Sequence, residues 1–174
     1  MSFVNDLHVS RAPALGFVAM GMVWAAFAAQ VPVIKAQIGA SDAAFGASFL
    51  VSSLGAIAAV WLAPPIDKWF GSKSVLITSG ALSLSFLLPG LTWGLVGFTV
   101  AMLLVGATSG VSDILMNARI SEIEQTTRRP LMNLNHAIFS FGYAGTALAT
   151  GLAREAGLSP FMVFAPTDAA FDML

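Results

Sequence analysis

An all-α membrane protein is the fold class this sequence predicts, and three observations predict it. Of its 174 residues 57% are hydrophobic and only 10% are charged, and the mean hydropathy is +0.82. A water-soluble domain carries about 25% charged residues, so this chain lacks the charge to coat a wet surface. The charges it has leave long stretches empty: none falls between Arg11 and Lys35, Asp42 and Asp67, Lys73 and Asp113, or Arg129 and Arg154. Polarity does not alternate along those stretches as a barrel strand requires, so each must satisfy its backbone groups as a helix.

The elements follow in order. About 20 apolar residues cross the hydrocarbon core, and each shorter uncharged stretch supplies one crossing. The stretch from Lys73 to Asp113 is too long for one and contains Pro89-Gly90-Leu91-Thr92-Trp93-Gly94, a turn with an interfacial tryptophan. It therefore divides, and the chain should hold about five transmembrane helices over 13–34, 43–64, 74–91, 94–117 and 131–153. Arg11, the apolar run after it and Ala26-Phe27-Ala28 also resemble a cleavable signal peptide, but the run continues to Ile34 and further spans follow, which favours an uncleaved first helix. Ser41-Asp42 reads as the N-cap of the second helix, and Pro64-Pro65 as its end. The third and fourth helices are joined by a very short loop and should be antiparallel neighbours. Segment 118–130 is the one strongly polar stretch and should extend the fourth helix before a turn at Pro130.

Lysine and arginine set the orientation. With the N-terminus in the cytoplasm, the inner segments hold Arg11, Lys68, Lys73, Arg119, Arg128 and Arg129, and the outer ones only Lys35 and Arg154. That asymmetry predicts a multi-pass protein of the cell (inner) membrane with a cytoplasmic N-terminus.

Several function classes are excluded on composition. A net charge of −1 offers nothing to a nucleic acid, and the absence of cysteine removes disulfides, thiolate metal sites and thiol catalysis. No metal-ligand spacing, phosphate-binding glycine loop, Ser-His-Asp grouping or paired carboxylates stand out. No cofactor, metal or catalytic residue is expected, and an enzyme is not.

Two stretches carry a family resemblance. The loop Asp67-Lys68-Trp69-Phe70-Gly71-Ser72-Lys73 resembles the loop between the second and third helices of the major facilitator superfamily. Gly110-Val111-Ser112-Asp113-Ile114-Leu115-Met116-Asn117-Ala118, Arg129-Pro130-Leu131-Met132 and His136-Ala137-Ile138-Phe139-Ser140-Phe141-Gly142 are similar to the fucose-permease-like branch. The resemblance covers residues 12–160 and implies the truncated N-terminal six-helix half of a twelve-helix fold with inverted three-helix repeats. It also implies secondary active transport of a small solute, a sugar or similar, coupled to protons, with a missing C-terminal half or another helical partner. Those symporters carry a second acidic residue in the first helix near a proline; around Pro32 this chain has Ala28, Ala29 and Gln30.

Asp113 is the leading site residue. A charge inside a span costs at least about 2.5 kcal/mol, and its neighbours one turn away are Ser109 and Asn117, which extend a polar stripe toward the protein interior. A carboxylate out of water favours its neutral form, which suits proton uptake coupled to binding; the structural alternative is a carboxylate paired with Arg119 near the headgroups. On the fifth helix Asn133, His136, Ser140 and Tyr143 fall on one face, as donors and acceptors for a hydroxylated solute. His136 either relays protons or bonds a neighbouring helix. Trp24 and Gln30 of the first helix are solute candidates, with core packing as the alternative for the tryptophan. Asp67, Lys68, Gly71 and Lys73 form a candidate gating loop, or only a topology signal and helix cap. Gly106 and Gly110 mark close helix packing. A non-transporting scaffold using such small-residue faces, or an inactive gene fragment, is the alternative function. Residues 161–174 break the apolar pattern; Val163-Phe164-Ala165-Pro166-Thr167-Asp168-Ala169-Ala170-Phe171 resembles the opening of a fasciclin domain, as a fusion or a chimeric ending.

Overall fold

A computed structural model describes residues 3–157, and every element in it is helical. The fasciclin-like stretch lies outside the described residues. A short helix α1 (Phe3–Val9) precedes α2 (Arg11–Gln37) and α3 (Asp42–Phe70). A single 3-10 turn at Gly71–Lys73 leads into α4 (Ser74–Ser85) and α5 (Leu87–Leu91), followed by α6 (Leu95–Thr127) and α7 (Met132–Glu155). Three stretches are long and apolar enough to cross a membrane: Arg11–Gln37, Asp42–Leu91 and Leu95–Thr127. α7, over which a fifth crossing was expected, is not among them, because asparagine, histidine, serine and glycine dilute its apolar residues.

Contacts between helices fix the direction of each. Along α3 and α6, Ser48 pairs with Thr99, Gly55 lies against Leu103, Gly110 against Ala59, and Asp67 reaches Arg119, so these two run parallel. The chain reverses at Gly71, whose φ of 52° suits a residue without a Cβ. α4 then runs back along α6, with Ser85 hydrogen-bonded to Thr108 at 2.8 Å. α2 runs antiparallel to α6, with Gly16 against Met116 at one end and the Gln37 amide donating to the carbonyls of Gly90 and Thr92 at the other. α7 follows α2 in parallel, from Gly21 beside Phe139 to Arg154, which donates to the Ala29 carbonyl. The bundle thus has a basic end, holding Asp67, Arg119 and Arg129, and an opposite end, holding Lys35, Asp42 and Arg154.

Two tight pairs, α3 with α6 and α2 with α7, dominate the packing. A Cβ on Gly106 would overlap the Ser52 carbonyl, one on Gly55 the Leu103 carbonyl, and one on Gly21 the Phe139 carbonyl. Small residues therefore let backbones touch where lipid supplies no drive for association. Aromatic side chains fill the core: Phe45 of α3 stacks on Phe98 of α6 at 4.9 Å, and Phe86 meets Trp24 edge-on at 5.0 Å and Phe27 at 5.8 Å. Leu50, Leu54, Trp61, Leu84, Val96 and Phe141 instead point outward, an apolar girdle that only lipid or another apolar surface can solvate.

Two helix boundaries depart from expectation. Pro64-Pro65 does not end the second helix, which continues to Phe70. The turn past the prolines is held by Asp67, whose carboxylate accepts from Ser74 (2.6 Å) and Arg119 (3.1 Å) while its carbonyl accepts from the N–H of Gly71. The expected helix over 74–91 breaks at Phe86. Pro89 has no N–H to give the Ser85 carbonyl, and its ring crowds that carbonyl. Elsewhere the ends agree closely. Ser41 caps α3 by accepting from the Ala44 N–H, and α6 extends to Thr127 and stops at Arg128, in left-handed geometry at φ 54°. Glu124 then reaches forward from α6 to accept from the N–H of Met132 at 2.8 Å, capping α7 with a side chain of the preceding helix.

Candidate functional site

α6 and α7 bring Asp113, Asn117, His136 and Ser140 together, as the sequence pattern suggested. One helical turn separates Asp113 from Asn117, so the asparagine amide donates back both to the Asp113 carbonyl (2.8 Å) and to its carboxylate (3.1 Å). Across the helix pair, His136 Nε2 lies 3.1 Å from the Asn117 amide oxygen. The imidazole rests on the Phe17 ring of α2, with centroids 5.0 Å apart, and Ser140 donates to the His136 carbonyl at 3.1 Å. Asp113, His136 and Ser140 are exposed and Asn117 is half-buried. The result is a continuous polar strip on a bundle whose other outward faces are largely apolar.

The remaining candidates divide. Asn133 is exposed on α7 one turn from His136 and makes no hydrogen bond to the strip. Tyr143 packs on Phe139, with ring centroids 6.2 Å apart. Trp24 belongs to the aromatic core with Phe27 and Phe86 and is not brought to the strip, so its packing role is the one the contacts support. Gln30 is fully buried, and both of its amide atoms lack a partner among the described residues. Ser109, expected to continue the Asp113 stripe, is likewise turned inward and unpaired. Arg119 does not pair with Asp113; it bridges Asp67 of α3 (3.1 Å) and Glu122 one turn on (2.6 Å). Lys68 and Lys73 are exposed and belong to no ion pair among the described residues.

Two features escaped sequence reasoning. Arg119 ties the last turn of α3 to α6 from 52 residues away, and no local spacing announces such a pair. Arg129 pairs with Asp6 of α1 at 3.0 Å, binding the N-terminal helix to the α6–α7 loop. A cleft of about 560 Å³ opens between α2, α4–α5 and α7, lined by Val23, Ala26, Ser83, Phe86, Thr146 and Thr150 among others. It contains no α6 residue and is separate from the polar strip. Among the described residues no group of three metal-binding side chains occurs.

Three stretches long and apolar enough to cross a membrane, an outward apolar girdle and one polar strip define a class: a helical membrane protein. Similarity to known proteins narrows it. The chain is 30% identical over 154 residues to an uncharacterized MFS-type transporter of Yersinia pestis, covering 88% of this chain and 40% of that protein. It is 28% identical over 152 residues to an uncharacterized transporter of Sinorhizobium fredii, covering 80% and 38%, and 30% identical over 146 residues to the membrane protein MosC of Rhizobium meliloti, covering 81% and 35%. The chain spans about 40% of the length of the first two of these relatives. No protein-family model and no solved structure matches it.

Proposed function

We propose that this chain, over residues 1–160, is the N-terminal helical half of a major-facilitator transporter of the fucose-permease-like branch, carrying a sugar or similar small solute with protons across the inner membrane. The observation that carries the reading is the Asp113–Asn117–His136 strip, hydrogen-bonded side chain to side chain and open to the surroundings. Ionisable groups at membrane depth are costly, and an exposed chain of them belongs beside water and solute rather than lipid. The partial coverage of transporter relatives supports a second half that would face this strip and complete the path. In this reading α2, α3, α4–α5, α6 and α7 each cross the bilayer once, the basic end lies in the cytoplasm, and α7 turns its polar side to the path. Asp67 and Arg119, with Lys68, Gly71 and Lys73 in the adjoining turn, form the latch of the cytoplasmic side. Trp24 and Gln30 support the path from behind.

The small-residue scaffold reading is weaker on this geometry. Gly106 and Gly110 are occupied by Ser52, Ala56 and Ala59 of the same chain, which leaves no glycine face there for a partner.

The test is proton-coupled uptake by the full-length protein carrying this segment, with Asp113→Asn. Substitution should abolish accumulation against a gradient while leaving exchange of solute down its gradient measurable. Unchanged coupled uptake would remove Asp113 from the mechanism.

A further inference from the structure

Counting hydrogens on the strip restricts what it can bind. Asn117 has two amide N–H groups, and both point at Asp113, one to the backbone carbonyl and one to the carboxylate. Those two acceptors fix the amide's orientation, so its oxygen is the atom that faces His136. An oxygen acceptor there requires that His136 Nε2 carry the proton. In the neutral imidazole Nδ1 is then a bare lone pair. The Ser140 hydroxyl spends its hydrogen on the His136 carbonyl, which leaves only oxygen lone pairs. Every N–H and O–H of these four side chains is therefore committed within the strip, and everything left over accepts: the Asp113 carboxylate, His136 Nδ1, Ser140 Oγ and the second lone pair of the Asn117 oxygen.

We infer that, with Asp113 ionised and His136 neutral, the strip is an acceptor-only subsite, which takes a solute group presenting N–H or O–H donors, hydroxylated or cationic, and rejects carboxylates and phosphates. A solute acceptor placed there would face lone pairs alone and lose its own hydration without replacement. Asn117 is the positioning residue, because its one-way amide both holds the Asp113 carboxylate and sets the His136 tautomer. The inference rests on the strip lining a solute path, and it is tested without transport.

The full chain would be placed in lipid nanodiscs with ring-¹⁵N histidine, at a pH of about 8, above the usual histidine titration near 6.5. Only His8 and His136 occur, so His8→Gln assigns the spectrum. The expected result is an Nε2–H tautomer at His136, which Asn117→Leu converts to a tautomer mixture. Equal sub-denaturing concentrations of guanidinium, which only donates, and acetate, which only accepts, are then compared. In the unmodified chain guanidinium should shift the His136 Nδ1 resonance and acetate should not. An Nδ1–H tautomer in the unmodified chain, an unaltered tautomer in Asn117→Leu, no response to guanidinium, or an acetate response as large, would each overturn the inference. If the resonances behave as expected while Asp113→Asn leaves coupled uptake intact, the subsite stands and the transport reading falls.

Discussion

Gly106 shows how much a single missing methyl decides in this chain. Its α-carbon sits where the Ser52 carbonyl of α3 passes, so any side chain must part the two helices. Gly106→Leu should lower the thermal unfolding midpoint in detergent sharply, by an amount corresponding to about 1–3 kcal/mol or to failure to fold, as overpacking does. Gly80, with open space around its α-carbon, is the control and should tolerate alanine with little change. Gln30 predicts the opposite sign. Its amide is buried without a partner among the described residues, and burying such a group costs about 1–3 kcal/mol. Gln30→Leu should therefore raise the unfolding midpoint, and a lower one would show that the amide has a partner on which the fold depends. The type and spacing of Asp113, Asn117, His136 and Ser140 were legible because one-turn spacing on a helix is a local property. The full burial of Gln30 and the exposure of Asp113, whose stripe was expected to face the interior, were not, because rotation of a helix about its axis is set by its neighbours.

At the scale of elements, prolines divide the lesson. Pro89 breaks its helix at Phe86 while Pro64 and Pro65 do not end theirs, although all three remove an N–H. The difference lies in what holds the following turn. Beyond Pro65, Asp67 gathers Ser74, Arg119 and the Gly71 N–H, and the helix is pinned. Removing the carboxylate's ties to Ser74 and Arg119 with Asp67→Ala should leave α3 ending near Pro64, read as faster amide hydrogen exchange over 66–70 than in the unmodified chain. Exchange left unchanged would mean that packing alone carries the helix past the prolines. Pro89→Ala restores the missing donor and should join α4 to α5, read as a new, slowly exchanging amide at residue 89 and slowed exchange at its neighbours. The capping of α7 by Glu124 was equally hidden from sequence inspection, since the carboxylate reaches across a turn whose left-handed Arg128 gives no compositional signal.

For the whole molecule, the proposed orientation makes a topological prediction. The chain has no cysteine, so single cysteines report cleanly. In intact cells Ser72→Cys, in the turn at the basic end, should resist a membrane-impermeant maleimide until the cells are opened. Ala40→Cys, between α2 and α3 at the opposite end, should react at once. The reverse pattern would invert the orientation. α7 is the element most dependent on its surroundings, because its composition alone does not place it across a bilayer. Its hold on α2, from Gly21 to Arg154, supplies what its hydropathy lacks.

Long uncharged stretches, charge asymmetry and one-turn polar spacing are properties of the chain read one residue after another. They were enough to establish an all-helical membrane chain and to pick out the residues of the polar strip, because water and lipid act on each segment independently of the rest. Tertiary structure alone decided which helices pair, that Arg119 belongs to Asp67 rather than Asp113, and that Trp24 lies in the core. It also decided where the hydrogens of the strip are committed. Those outcomes depend on contacts between residues tens of positions apart, and such contacts exist only once the helices have packed.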